Sequence, residues 1–124
     1  MLDYFYDFLI NGDWDEVERI EPKDIKMPTL REEQSMFTKA VGLFILFAYQ
    51  QGYELTFGDA KAKTGHIVGS FHYKGLAIDF NLFKDGVYLI KTEDHLLLGK
   101  FWESIGGSWG GRFGDGNHYS WGET

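Results

Sequence analysis

Cysteine is absent from the 124 residues. That excludes a disulfide framework and any thiolate metal site, so a metal here must be held by His, Asp or Glu. Positive charge is scarce: 12 Lys and Arg stand against 19 Asp and Glu, for a net charge of -7. Nucleic-acid binding needs a basic face, and none is expected. Proline occurs twice, and Pro22 and Pro28 bracket a polar connector. Long apolar runs are also missing. The best, Ala40 to Tyr49, is about half of the ~20 residues that a membrane-spanning helix needs, so no membrane partner is expected. The first residues, Met-Leu-Asp-Tyr-Phe-Tyr-Asp, are acidic where a secretory signal would be basic. Synthesis in a cytoplasm without an export signal is the expectation.

What is present is aromatic and flexible. Aromatics reach 18% and glycine counts 16, set in a chain that is 44% hydrophobic. That suits one globular domain with ring-rich packing and tight turns. A monomer is expected. Residues 1–27 look peripheral, with a short helix near Leu2 to Ile10. Acidic residues crowd there (Asp3, Asp7, Asp13, Asp15, Glu16, Glu18, Glu21 and Asp24, beside Arg19 and Lys23), which fits a solvated helix face. The domain proper is expected over 28–124.

Thr29 precedes a strong helical stretch from Arg31 to Gln51, with Glu32 only approximately in the capping-box place. Phe37, Val41, Leu43, Phe44, Phe47 and Ala48 recur at helical spacing, and Gly52 ends the helix. Tyr53 to Phe57 alternates as a strand. Leu76 to Phe83 is the clearest strand: Leu76, Ile78, Phe80 and Leu82 share one face, while Ala77, Asp79, Asn81 and Phe83 share the other. Lys84-Asp85-Gly86 turns the chain into a partner strand, Val87 to Ile90. A second helix runs from Thr92 to Glu103, stopped by Gly106-Gly107. The tail is read as a loop with a short strand at His118 to Trp121. The class is α+β, a small antiparallel sheet with helices packed to one side.

Four histidines exist, at 66, 72, 95 and 118. Asp79 projects from the polar face of the clearest strand. His72 lies seven residues earlier, which on a straight strand puts the two on opposite faces, but a bend at Gly75 lets both enter one cleft. His118 opens the last strand, with Asp115 three residues ahead. A His-Asp-His set supplies three zinc ligands and leaves a fourth position for water, and Asp115 has the right type and place for a base. Spacing alone is weak support, since a loop histidine is more often a hydrogen-bonded surface residue. His66 and His95 are read as surface residues. Trp109, Phe113, Tyr119 and Trp121 fit a cleft wall or a small core equally well.

Ser70-Phe71-His72-Tyr73-Lys74-Gly75-Leu76-Ala77-Ile78-Asp79 reads S-x-H-x-x-G-x-A-x-D, and Asp115-Gly116-Asn117-His118 reads D-x-x-H about forty residues on. The pair resembles the zinc D-alanyl-D-alanine carboxypeptidase and dipeptidase family, which includes bacteriophage L-alanyl-D-glutamate endolysins. The resemblance extends more loosely from Gln34 to Trp121. Trp102 and the run Gly106 to Gly111 are most similar to the phage members. It implies a zinc-peptidase fold of the hedgehog and DD-peptidase kind, with Zn2+ on His72, Asp79 and His118. It implies Asp115 as general base and later proton donor, and Ser70 hydrogen-bonding near the ligands or substrate. The implied partner is a peptidoglycan stem peptide. One departure stands out. The family usually places an Arg shortly after the strand ending near Asp59, and here the stretch is Asp59-Ala60-Lys61-Ala62-Lys63. Lys61, Lys63 or Arg112 is expected to take its part in binding substrate, with Trp109 beside them. The leading expectation is an endolysin cutting L-Ala-D-Glu, made in a host cytoplasm and released to the wall. The alternatives are a D-Ala-D-Ala carboxypeptidase with the same site, and an inactive zinc-binding wall-recognition or virion module.

Overall fold

The computed structural model describes residues 27–59 and 70–122. The expected N-terminal helix and its acidic cluster lie outside the described residues, as do Lys61, Lys63 and His66.

Helix α1 (Leu30–Gln50) starts on a complete capping box. The Thr29 hydroxyl accepts the Glu32 N–H at 3.2 Å, and the Glu32 carboxylate accepts the Thr29 N–H at 3.3 Å. Glu32 is therefore in register, which the sequence suggested only approximately. At the other end Gly52 adopts φ 89°. Its N–H donates to Tyr49 O and the Tyr53 N–H donates to Ala48 O, the paired bonds that close a helix through a left-handed residue. The reversal feeds β1 (Glu54–Phe57).

Strand β2 (Ala77–Lys84) is the spine of the sheet. It turns through Asp85 (φ 51°) and Gly86 (φ 79°) into β3 (Val87–Leu89). Two consecutive positive φ values are what a two-residue hairpin of matching twist requires. The second helix comes in two pieces where the sequence suggested one: a 3-10 turn (Thr92–His95), then α2 (Leu96–Ser104). The tail contains β4 (Ser108–Trp109) where the sequence suggests loop, then a 3-10 turn (Gly110–Phe113) and β5 (His118–Ser120). Two residues are too few to show alternation, so β4 was illegible in the sequence. The sheet order is β1-β2-β5-β4, with β3 also on β2, and every pairing is antiparallel.

Alternation along β2 divides its faces. Leu76, just ahead of the strand, joins Ile78, Phe80 and Leu82 in the core with Tyr119 of β5. The helices cover this face. Phe44 of α1 lies 5.1 Å from the Phe80 ring and 4.5 Å from Tyr119, and Trp102 of α2 meets Phe44 edge-on. The Trp102 Nε1–H is satisfied by Ser120 O at 2.9 Å. Each buried ring of this size contributes about 1.5–3 kcal/mol. The opposite face carries Asp79 and Asn81. Among the described residues no helix is long and apolar enough to cross a membrane.

Candidate metal centre

The antiparallel register sets Asp79 of β2 directly against His118 of β5. Directly opposed residues share a sheet face with their Cβ atoms about 4.5–5.5 Å apart, so these two side chains converge because the strands pair this way. The residues that continue β1 hold Asp79 in place along the other edge of β2. Its C=O accepts the Gly58 N–H at 2.7 Å and its N–H donates to Asp59 O at 2.8 Å. Gly58 packs so closely that a Cβ there would sit 3.1 Å from Asp79 Cβ.

His72 arrives from the turn before β2. The Ser70 hydroxyl accepts the His72 N–H at 3.2 Å, and the Gly75 N–H donates to His72 O. Gly75 takes φ 70°, the bend that the seven-residue spacing requires. Helix α1 pins the turn through Gln34 Nε2, which donates to Lys74 O at 2.6 Å. His72 ends 2% exposed.

Three lone-pair atoms meet here. His72 Nε2 is 3.1 Å from His118 Nδ1 and 3.2 Å from Asp79 Oδ1, and His118 Nδ1 is 3.4 Å from Asp79 Oδ1. Asp79 Oδ1 is buried and accepts no well-aligned hydrogen bond. Zinc bonds of about 2.0–2.1 Å in a tetrahedron place ligand atoms about 3.3–3.4 Å apart. The triangle matches that spacing, and its chemistry (two imidazoles and one carboxylate) is a three-ligand set with an open fourth position. The residues present fit the metal.

Asp115 lies in the turn that delivers His118, whose N–H donates to Asp115 O at 3.2 Å. This turn is clamped by Thr92. The Thr92 hydroxyl donates to Gly114 O at 3.0 Å and accepts the Gly116 N–H at 3.3 Å, holding the peptide groups on both sides of Asp115. Gly116 is required, because a Cβ would sit 2.6 Å from Thr92 Cα. Gly110 packs under the same turn, where a Cβ would run into Asp115 O and approach His118 Cβ to 2.8 Å. The Asp115 side chain is exposed at the edge of a cleft of about 190 Å³. That cleft opens between β5 and β3, which pair with the same edge of β2 at its two ends. Phe80, Asn81, Tyr88, Lys91 and Asn117 also line it.

Other expected site residues are placed as follows. Ser70 holds the His72 backbone. Trp109 is 8% exposed, donates to Gly116 O at 2.7 Å and belongs to the core, so it braces the Asp115 turn from beneath. The Arg112 guanidinium is 3.0 Å from Glu103 of α2. Phe113 is exposed, and Trp121 packs edge-on against Trp102. His95, read from sequence as a surface residue, is 3% exposed, with Nδ1 2.8 Å from Tyr119 Oη. Burial lowers its pKa to about 4, against a smaller upward pull from Asp94. Burial also raises the Tyr119 phenol, which stays protonated. Thr92 and Lys91 were not singled out from the sequence. A Thr opening a helical stretch reads simply as a cap, and nothing local says that it reaches a turn 22 residues on.

A family model described as D-alanyl-D-alanine carboxypeptidase matches residues 63–121, just under half of the chain, and the match spans both motifs. It supports a peptidase of that kind, and the three-donor group supports one that works with a metal. No curated protein matches the chain.

Proposed function

We propose that the protein is a zinc-dependent peptidase acting on peptidoglycan stem peptides, in the manner of an endolysin that cuts between L-Ala and D-Glu. The observation that carries the reading is the triangle of His72, Asp79 and His118 with edges of 3.1–3.4 Å. The exposed carboxylate of Asp115, in the turn that delivers His118, supports hydrolysis over mere metal storage. A zinc ion held by these three side chains would polarise the scissile carbonyl and lower the pKa of a water. The protein's own residues do the rest. Asp115 takes the proton as water oxygen bonds to the carbonyl carbon, and returns it to the leaving amine as the C–N bond breaks. Thr92, Gly110 and Trp109 hold the turn that carries both Asp115 and His118. Ser70 and Gly75 fix the approach of His72. The same reading has the chain made in a host cytoplasm and released to the wall.

Removal of a terminal D-Ala is the second reading, favoured by the description of the matched family. Purified peptidoglycan digested with and without chelator, with the fragments read by mass spectrometry, separates them. Chelator-sensitive release of stem peptides with a new D-Glu N-terminus supports the endopeptidase, and loss of one alanine supports the carboxypeptidase. No cleavage of several wall types by zinc-loaded protein would sink both. Two variants separate an enzyme from a binding module. Asp115→Ala is expected to lower the rate by about 10²–10⁴ with zinc retained, whereas Asp79→Ala loses zinc and activity together. An unchanged rate in Asp115→Ala would remove it from the mechanism.

A further inference from the structure

The cleft beside Asp115 contains a cation whose role the metal site leaves open. We propose that this cleft receives the residue on the C-terminal side of the scissile bond, and that Lys91 pairs with the free α-carboxylate of that residue. The proposal rests on the peptidase reading and names what its site selects. Two observations and the chemistry of the substrate carry it.

The first is position. The residue that follows the scissile bond leaves with its amine, and that amine takes its proton from Asp115. It must therefore lie beside Asp115, and the 190 Å³ cleft is the space that Asp115 borders. The cleft starts one residue from the metal-binding pair along each strand, at Phe80 after Asp79 and at Asn117 before His118.

The second is charge. The chain carries -7, and Asp115 itself repels a carboxylate, so an anionic group needs a local cation to settle there. Lys91 is the cation among the lining residues. His95 lines the same cleft but stays neutral near pH 7, because burial lowers its pKa to about 4. The other described cations nearby are engaged: Arg112 by Glu103, Lys74 over the Phe71 ring and Lys84 over the Tyr53 ring. The Lys91 backbone is anchored at the mouth of the 3-10 turn. Its N–H donates to Asp94 Oδ2 at 3.0 Å and its C=O accepts the Asp94 N–H at 3.1 Å, so the side chain springs from a fixed point. The Asn117 amide lines the same cleft and offers a neutral donor, whereas Asn81 Nδ2 donates to Thr56 Oγ1 at 3.2 Å.

The third is substrate chemistry. Both candidate cuts place a D-residue with a free α-carboxylate directly after the scissile bond. In a D-Ala-D-Ala end that carboxylate is the terminus. After L-Ala, the stem continues through the side-chain carboxyl of D-Glu and leaves its α-carboxylate free. One cation at this point serves either bond.

The test uses the zinc-loaded full chain and two pairs of synthetic peptides. One pair is L-Ala-D-Glu joined through its γ-carboxyl to L-Lys; the other ends in D-Ala-D-Ala. Each pair differs only in whether that α-carboxylate is free or amidated. The pair that is cleaved identifies the source of the carboxylate. The free acid is expected to be preferred roughly tenfold, carried by KM, as a partly exposed charge-assisted contact provides. Lys91→Gln brings acid and amide to the same kcat/KM, and Lys91→Arg restores the preference. Binding of the corresponding product fragments, followed by calorimetry on wild type and Lys91→Gln, supplies a readout that needs no turnover. Cleavage with no acid preference, or a preference that survives Lys91→Gln, overturns the subsite and leaves the peptidase reading standing. Absent cleavage with acid-selective, Lys91-dependent binding upholds the subsite and overturns the peptidase. Absence of both overturns both.

Discussion

His72, Asp79 and His118 were legible as candidate ligands because one short motif carries the first two and a second carries the last. What the motifs did not contain is the reason that they meet: a cross-strand register for Asp79 and His118, and a left-handed Gly75 for His72. His95 shows the opposite case. A histidine in the first turn of a polar-looking helix has no local mark of burial, yet the fold turns it inward onto Tyr119. Its consequence is a pH dependence with a definite sign. The ring binds its proton with a pKa near 6.5 when exposed by unfolding and near 4 when folded. Below about 6.5 the unfolded chain therefore takes up more protons, and stability falls as pH drops toward 4, by about 3 kcal/mol in total from this group. Urea unfolding of zinc-free protein at pH 7.5 and at pH 4 checks this. His95→Gln, which cannot titrate, is expected to lose markedly less stability between the two. Equal losses in variant and wild type would remove His95 as the cause.

At the scale of elements, the long pieces were legible and the short ones were not. Helix α1, strand β2 and the Asp85-Gly86 hairpin each carry a period or a turn signal that belongs to their own residues. The break between the 3-10 turn and α2, and the existence of β4, depend on contacts with other elements. Glycines mark those contacts. Gly110 lets the 3-10 turn before Asp115 lie against His118, whereas Gly42 on the exposed face of α1 has nothing within 4 Å of a Cβ. Gly110→Ala is expected to weaken zinc binding roughly tenfold, as loss of support behind a ligand does, and to lower the thermal midpoint. Gly42→Ala is expected to stabilise by about 0.5–1 kcal/mol through helix propensity alone. Zinc titration and thermal melts on the two variants read both effects, and unchanged zinc affinity in Gly110→Ala would mean that the turn tolerates a shift without moving His118.

For the whole molecule, zinc on the partly buried cluster of His72, Asp79 and His118 would link folding to metal. Zinc at a hundredfold excess over its dissociation constant adds about 2.7 kcal/mol to the folded state. The thermal midpoint is expected to rise on the order of ten degrees on loading and to return with chelator. Asp79→Ala should show no such rise, and a midpoint indifferent to zinc in the wild-type protein would rule out this cluster as the binding site. The sequence by itself determined the α+β class, the main helix and strand, the absence of thiolate chemistry and the ligand types, because each of these is written in local period, composition or motif. Tertiary structure alone decided the rest. It buried Trp109 and His95, tied Arg112 to Glu103, and let Thr92 hold the Asp115 turn. It also set Lys91 and Asp115 around one cleft. Those relations join residues distant in the chain, and only the packing of strands on one edge and helices on one face sets them.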